Sequence, residues 1–219
     1  MPEQSEFWSK VALRYDRVAD LQLGGAIRAL VRDRVAKEGR LGRLAELGCG
    51  TGFFTAALAG KADQVVATDL SPGMLAVARA NVDAANVVFQ VEDAQKTSFA
   101  DAAFDTVFMS LVLHFTEPAV ALAEMHRILA PGGTLIVVNL DPGALRGLDR
   151  IRSLVRVTWR GVAGYRTRPP AGFGKNVLSE RELRALLGER GFAVLSSEGV
   201  RDTARSSSIP VEYVRARKL

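Results

Sequence analysis

The chain has 219 residues, 48% hydrophobic and 24% charged, a balance that suits one globular domain with a sizeable core and excludes disorder. No apolar run approaches the roughly 18 residues of a membrane span, and Met1-Pro2-Glu3-Gln4-Ser5-Glu6 lacks the basic and apolar parts of a signal peptide, so a soluble, cytoplasmic protein is expected. The net charge of +5 is uneven: residues 1–140 carry 13 Lys and Arg against 16 Asp and Glu, and residues 141–219 carry 16 against 8.

Taken in chain order, Phe7, Trp8, Val11, Ala12 and Tyr15 fall at helical spacing and predict an opening amphipathic helix. A second helix is predicted over Ala26–Lys37, with Gly39 at its C′ position. Strands and helices then alternate. Strands are expected near 43–48, 65–69, 87–91, 104–110 and 134–139, and helices near 52–60, 72–84, 117–129 and 179–190. Final strands are expected near 192–198 and 209–216. Ser71-Pro72 reads as an N-cap followed by proline at the first helical position. Pro131-Gly132-Gly133 reads as a helix stop ahead of the run Leu135-Ile136-Val137-Val138. Val- and Ile-rich strands without strict alternation suit a sheet buried on both faces, and repeated β-α units give a parallel, doubly wound α/β fold.

One segment breaks the rhythm. Between Asp141 and Asn176, Leu148, Ile151, Leu154, Val155, Trp159 and Val162 form an apolar helical stripe, and arginines recur every four residues at Arg146/Arg150 and Arg152/Arg156/Arg160. Like charges at that spacing destabilise an isolated helix slightly, so it must gain from packing or from an anion. Gly161, Gly164, Pro169, Pro170, Gly172 and Gly174 then predict a long loop.

The chemistry concentrates at Glu46-Leu47-Gly48-Cys49-Gly50-Thr51-Gly52, with Asp69 closing the next apolar run, Val65-Val66-Ala67-Thr68. A strand feeding a glycine-rich turn lets backbone approach a ligand, and a carboxylate at the end of the next strand suits ribose hydroxyls. Phe53 stands where a dinucleotide fingerprint places its third glycine, and no Gly-Lys-Ser/Thr of a phosphate-binding loop is present. With Glu46 included, the string resembles the first motif of class I S-adenosylmethionine-dependent methyltransferases. The resemblance continues in order through Asp69-Leu70-Ser71-Pro72-Gly73-Met74-Leu75, Glu92-Asp93-Ala94, Phe104-Asp105-Thr106-Val107-Phe108-Met109-Ser110 and Arg127-Ile128-Leu129-Ala130-Pro131-Gly132-Gly133.

That resemblance implies a Rossmann-like seven-stranded sheet, mostly parallel with an antiparallel final strand, and helices on both faces. It implies S-adenosylmethionine as cofactor and S-adenosylhomocysteine as product. Backbone around Gly48, Cys49, Gly50 and Gly52 would meet the methionine part, and Glu46 would orient the loop or bind the methionine amine. Asp69 would accept from both ribose hydroxyls. Leu70 and Met74 would flank the adenine, Asp93 would take its amine and Ala94 would offer a backbone N–H. Ser110 and Leu111 should lie near the methionine moiety, and Tyr15 resembles a tyrosine that covers the cofactor carboxylate. A single domain is expected over 1–219, with lid helices at 1–40, a cofactor core at 41–140, an acceptor-side insertion at 141–178 and a final helix and strands at 179–219.

No metal is expected, since Cys49 is the only cysteine and His114 and His126 are the only histidines. His114 follows the fourth strand, where ligands collect in parallel sheets, and is the candidate base or acceptor contact. The rival reading is a histidine that structures the loop. His126 reads as structural. A small organic acceptor fits best, because Ser110-Leu111-Val112-Leu113 replaces the Asn/Asp-Pro-Pro-aromatic motif of nucleic-acid amino-methyltransferases. A lipid or RNA acceptor held by the basic last third, and a non-catalytic cofactor-binding protein, are the alternatives. A membrane surface is possible but not favoured, and the expected state is a monomer or homodimer.

Overall fold

The apolar runs around Leu44, Val65 and Val107 become strands whose side chains are buried on both faces, which removes any need for alternation. A computed structural model describes residues 2–23, 25–141, 143, 169, 174–202 and 209–219. Its strands are β1 (Gly42–Leu47), β2 (Ala62–Asp69), β3 (Val87–Val91), β4 (Phe104–Ser110), β5 (Leu129–Leu140), β6 (Phe192–Val200) and β7 (Val211–Lys218). They form one seven-stranded sheet in the order β3-β2-β1-β4-β5-β7-β6. The first five run parallel, and β7 lies antiparallel between β5 and β6. The order reverses between β1 and β4, which opens a crevice beyond their carboxyl ends.

Successive residues of each central strand feed opposite layers. Phe108 and Ile136 face α3 (Gly25–Val35), α4 (Thr55–Ala59) and α5 (Pro72–Asn81), packing with Val31, Leu58 and Leu75. Val107, Met109, Leu135 and Val137 face α6 (Pro118–Ile128) and α7 (Glu180–Glu189), packing with Leu122, Met125, Leu183 and Leu187. Each such leucine contributes on the order of 1.5–3 kcal/mol by leaving water. A third cluster joins Phe7 and Val11 of α1 (Pro2–Val11) and Val18 of α2 (Tyr15–Leu23) to Met74. That cluster sets the N-terminal helices against the start of α5.

Local chemistry explains several boundaries and corrects others. Ser71 caps α5 as expected, its Oγ accepting from Met74 N at 3.1 Å with Pro72 at the first helical position. Ser179 and Glu182 make a capping box that starts α7. The opening helix is two helices, because a 3-10 turn at Ala12–Arg14 separates α1 from α2. The helix after the glycine turn starts at Thr55 and not at 52, since Gly52 has φ +82° and cannot enter a right-handed helix. Gly39 is not a left-handed cap; α3 ends at Val35 and closes through a turn in which Glu38 N donates to Val35 O at 3.0 Å. Pro131-Gly132-Gly133 lies inside β5, because Leu129 already pairs with Phe104 and the register shifts before Thr134 pairs with Thr106. The arginine repeat at 146–160 lies outside the described residues.

Candidate functional site

At the sheet's point of reversal β1 gives way to a loop in which Gly48, Gly50 and Gly52 have φ of +77°, +55° and +82°. Glycine is needed at Gly48 for space as well as for conformation: a Cβ there would lie 2.5 Å from Val112 Cγ2. The amides of Gly48 and Cys49 both donate to the carbonyl of Thr68, at 2.8 and 2.7 Å, so the loop folds back onto the end of β2.

That fold-back brings Asp69 into the loop. Its Oδ2 accepts from Gly50 N and its Oδ1 from Ser71 N, each at 2.9 Å. Burial raises its pKa, and the two amide bonds act against that rise. A carboxylate offers about four acceptor positions, so each oxygen keeps one after binding the backbone. Asp93, at the turn after β3, accepts from Gln95 N at 2.9 Å through Oδ1. Both carboxylates line a cavity together with Tyr15, Gly48, Gly50, Leu70, Met74 and Ala94. Leu111 lines it too, with φ +60°, a strained value for a branched residue, held where its N–H donates to Val138 O at 2.8 Å.

The remaining expected residues stand behind or beside the cavity. Glu46 is buried beneath the loop, its Oε2 accepting from Thr55 Oγ1 at 2.6 Å. Burial raises its pKa to about 7; Thr55 counters that rise and the Asp69 charge reinforces it. Cys49 is buried and its thiol pKa is pushed far up by burial, which leaves it inert at neutral pH. Gly52 meets α5, where a Cβ would sit 2.8 Å from Val82 Cγ2. Ser110 and His114 are buried and do not line the cavity, although Leu111, Val112, Phe115 and Thr116 do. Burial lowers the His114 pKa to about 4, so its ring is neutral at pH 7.

Other residues complete the site. Gln4 and Trp8 of α1 line the cavity, and Gln4 Nε2 reaches the Phe115 carbonyl at 3.4 Å. The Trp8 ring meets those of Tyr15 and Phe115 edge-on, with centroids 5.7 and 5.1 Å apart. Ser5 Oγ donates to Leu70 O at 2.9 Å, and the hydroxyls of Ser9 and Ser71 lie 2.8 Å apart, so α1 is pinned to the cavity wall. Arg28, 3% exposed, holds the arrangement from behind. It donates to Asp16 Oδ1 at 2.6 Å and to Asp20 Oδ1 at 3.2 Å, and its guanidinium stacks 3.9 Å from the Phe53 centroid. Thr51 Oγ1 donates to the same Asp16 oxygen at 2.8 Å, which joins α2, α3 and the glycine loop in one network. Helical spacing gives no sign of that network, because its members lie on three separate segments.

Among the described residues Asp69, Glu92 and Asp93 are the charged ones in the cavity lining, so this part of the site suits hydroxyl donors and positive charge on a ligand with an apolar face. Among the described residues no group of histidine, cysteine or carboxylate side chains could hold a metal.

The sequence of this core matches one family model, described as a methyltransferase domain, over residues 45–137. Residues 45–137 belong to the methyltransferase domain family. A solved S-adenosylmethionine-dependent methyltransferase from Mesorhizobium loti is 26% identical, with a TM-score of 0.65 over 90% of this chain and 100% of that one. The malonyl-[acyl-carrier protein] O-methyltransferase of Serratia marcescens is 34% identical over 73% of this chain and 58% of its own length. The demethylmenaquinone methyltransferase of Thermus thermophilus is 37% identical over 62% and 64%. The chain thus spans less than two thirds of these curated relatives, and the matched methyltransferase domain contains the second half of β1, β2 to β4, most of β5 and the helices between them.

Proposed function

We propose that the protein is an S-adenosylmethionine-dependent methyltransferase acting on a small organic acceptor by in-line displacement. The observation that carries this reading is Asp69, whose carboxylate is held by the glycine loop inside a cavity whose charged lining groups are, among the described residues, all acidic. Asp69 would accept from the two ribose hydroxyls with its spare lone pairs. Leu70 and Met74 would enclose the adenine, Asp93 would accept from its amine through Oδ2, and the Ala94 backbone would donate to it. Glu46 would hold the loop from beneath, and Tyr15 would close over the methionine end with Trp8. The bound cofactor supplies an electrophilic methyl group with a neutral thioether as leaving group.

The chain's own work is alignment and exclusion of water, which contribute several kcal/mol in reactions of this kind. α1, pinned through Ser5, Ser9 and Gln4, forms one wall of the cavity with Gln4 and Trp8 and would help to exclude solvent once the cofactor is bound. The relatives are named for a malonyl group on a carrier protein and for a demethylmenaquinone, which supports an organic acceptor over nucleic acid. No helix among the described residues is long and apolar enough to cross a membrane. A cytoplasmic enzyme, monomeric or homodimeric, is the accompanying proposal. Labelled S-adenosylmethionine offered with an acceptor library should transfer label to one acceptor class; tight binding without transfer to any would favour a non-catalytic binding protein.

A further inference from the structure

Arg127 opens a motif whose Pro-Gly-Gly half lies inside β5, while the arginine itself has no place in the cavity lining. Its guanidinium spans two segments. Nε donates to Glu124 Oε2 at 2.9 Å and Nη2 to Glu124 Oε1 at 2.7 Å, one turn earlier on α6. Nη1 donates to Phe99 O at 2.8 Å and to Asp101 Oδ1 at 2.7 Å, on the connection between β3 and β4. A forked pair of this kind fixes direction as well as distance. Desolvation acts to raise the Glu124 pKa, but the bonds from Arg127 and Thr97 outweigh it and hold the pKa below its ordinary value.

Glu124 in turn reaches the turn after β3. Its Oε1 accepts from Thr97 N at 2.8 Å and from Thr97 Oγ1 at 2.5 Å. The next residue, Ser98, holds Glu92, its N–H donating to Glu92 Oε2 at 2.9 Å. A second anchor lies two residues before Thr97, where the N–H of Glu117, the N-cap residue of α6, donates to Gln95 Oε1 at 2.8 Å. Ahead of the anchors the turn closes on itself, Gln95 N and Lys96 N donating to Asp93 Oδ1 and Asp93 O, each at 2.9 Å. Glu92, Asp93, Ala94 and Gln95 line the cavity, whereas Thr97, Glu124 and Arg127 do not. α6 is a fixed support, since Leu122, Met125 and Ile128 are buried in the core beneath it.

Resting on the methyltransferase reading, we propose that Glu124, aligned by Arg127, is a positioning residue for recognition of the cofactor's base. It touches no ligand. It anchors the turn to α6 so that Asp93 Oδ2 and the Ala94 N–H meet the amine and the neighbouring ring nitrogen of adenine together. Hydrogen bonds weaken steeply as angle and distance drift, so a loosened turn gives up discrimination between bases. Asp69 is held separately, by Gly50 N and Ser71 N, so the grip on the ribose does not depend on Glu124.

The test compares S-adenosylhomocysteine with S-inosylhomocysteine by calorimetry. In the second ligand a carbonyl replaces the amine and the ring nitrogen carries a proton, so it mismatches both Asp93 and the Ala94 N–H and keeps the rest of the molecule. The unaltered protein should prefer the adenosyl ligand by about tenfold or more, as matched hydrogen bonds to a charged group imply. That preference should fall by about fivefold or more in Glu124→Ala and by about twofold in Glu124→Gln, which keeps an acceptor for Thr97 but loses the charge that aligns Arg127. Asp93→Ala should reduce the preference too, and combined with Glu124→Ala the effect should fall short of the product of the two, because Glu124 acts through the turn that carries Asp93. A purely structural Glu124 would lower Tm and weaken both ligands alike; an unchanged preference, or effects that multiply, would overturn the assignment. Should Glu124→Ala fail to fold, Glu124→Gln decides alone. Equal affinity of the unaltered protein for the two ligands would also overturn it, whereas binding of neither would instead overturn the methyltransferase reading beneath it.

Discussion

At Glu46 burial and hydrogen bonding act in opposite directions. The carboxyl is held at a pKa of about 7 in the fold against 4.5 as its ordinary value, chiefly by desolvation. Between those two values the native state binds more protons than the unfolded chain, so this group stabilises at acid pH and that contribution fades as pH rises through 7. The full loss above pH 7 is about 3 kcal/mol, since each pH unit between the two values is worth about 1.4 kcal/mol. Glu46→Gln cannot ionise, so its stability relative to the parent should rise from pH 5 to pH 8 in urea titrations; an equal difference at both pH values would contradict the raised pKa. Arg28 shows the other side of burial. Asp16→Ala would leave the buried guanidinium with Asp20 at 3.2 Å and the Phe53 ring; because the Asp16 side chain is itself 43% exposed, the cost should be about 1.5 kcal/mol. Full stability in that variant would show that Asp20 and the ring suffice.

At the scale of elements, what was legible followed from local chemistry. The Ser71-Pro72 start, the glycine turn after β1 and the run of β4 each carry their cause within a few residues. Ser71→Ala should cost about 1 kcal/mol as a lost N-cap, measured by thermal unfolding, with further loosening of α1 because Ser9 bonds the same hydroxyl. The early start of β5 was not legible, since Leu129 joins the strand by pairing with Phe104, a partner 25 residues away. Nor was the break between α1 and α2: no glycine or proline marks Ala12–Arg14, and the turn goes with packing of Trp8 and Tyr15 over the cavity. In the site itself Asp69 could be read from the end of its strand, whereas Leu70, Met74, Asp93 and Ala94, which line the same cavity, were named only through the motif resemblance. Gln4 and the Arg28 network were not, because their partners belong to distant segments.

For the whole molecule, the sheet and its two helical layers are joined by two large apolar clusters, whereas the N-terminal helices pack through a smaller one beside the cavity. α1 and α2 meet the core through Met74, Asp69's neighbour Leu70, the Arg28 network and the aromatic contacts around Trp8. A ligand that fills the cavity should therefore stabilise the fold by mass action, by about 2.7 kcal/mol at a hundredfold excess over Kd. In a chain of this size that raises Tm by roughly 5–10 °C. The most direct measurement is calorimetric titration with S-adenosylmethionine of the unaltered protein and of Asp69→Ala. One site per chain is expected, with affinity at least tenfold weaker in the variant, as befits loss of charge-assisted hydrogen bonds worth about 1.5–3 kcal/mol. No binding by the unaltered protein, or equal affinity in the two, would contradict the role given to Asp69.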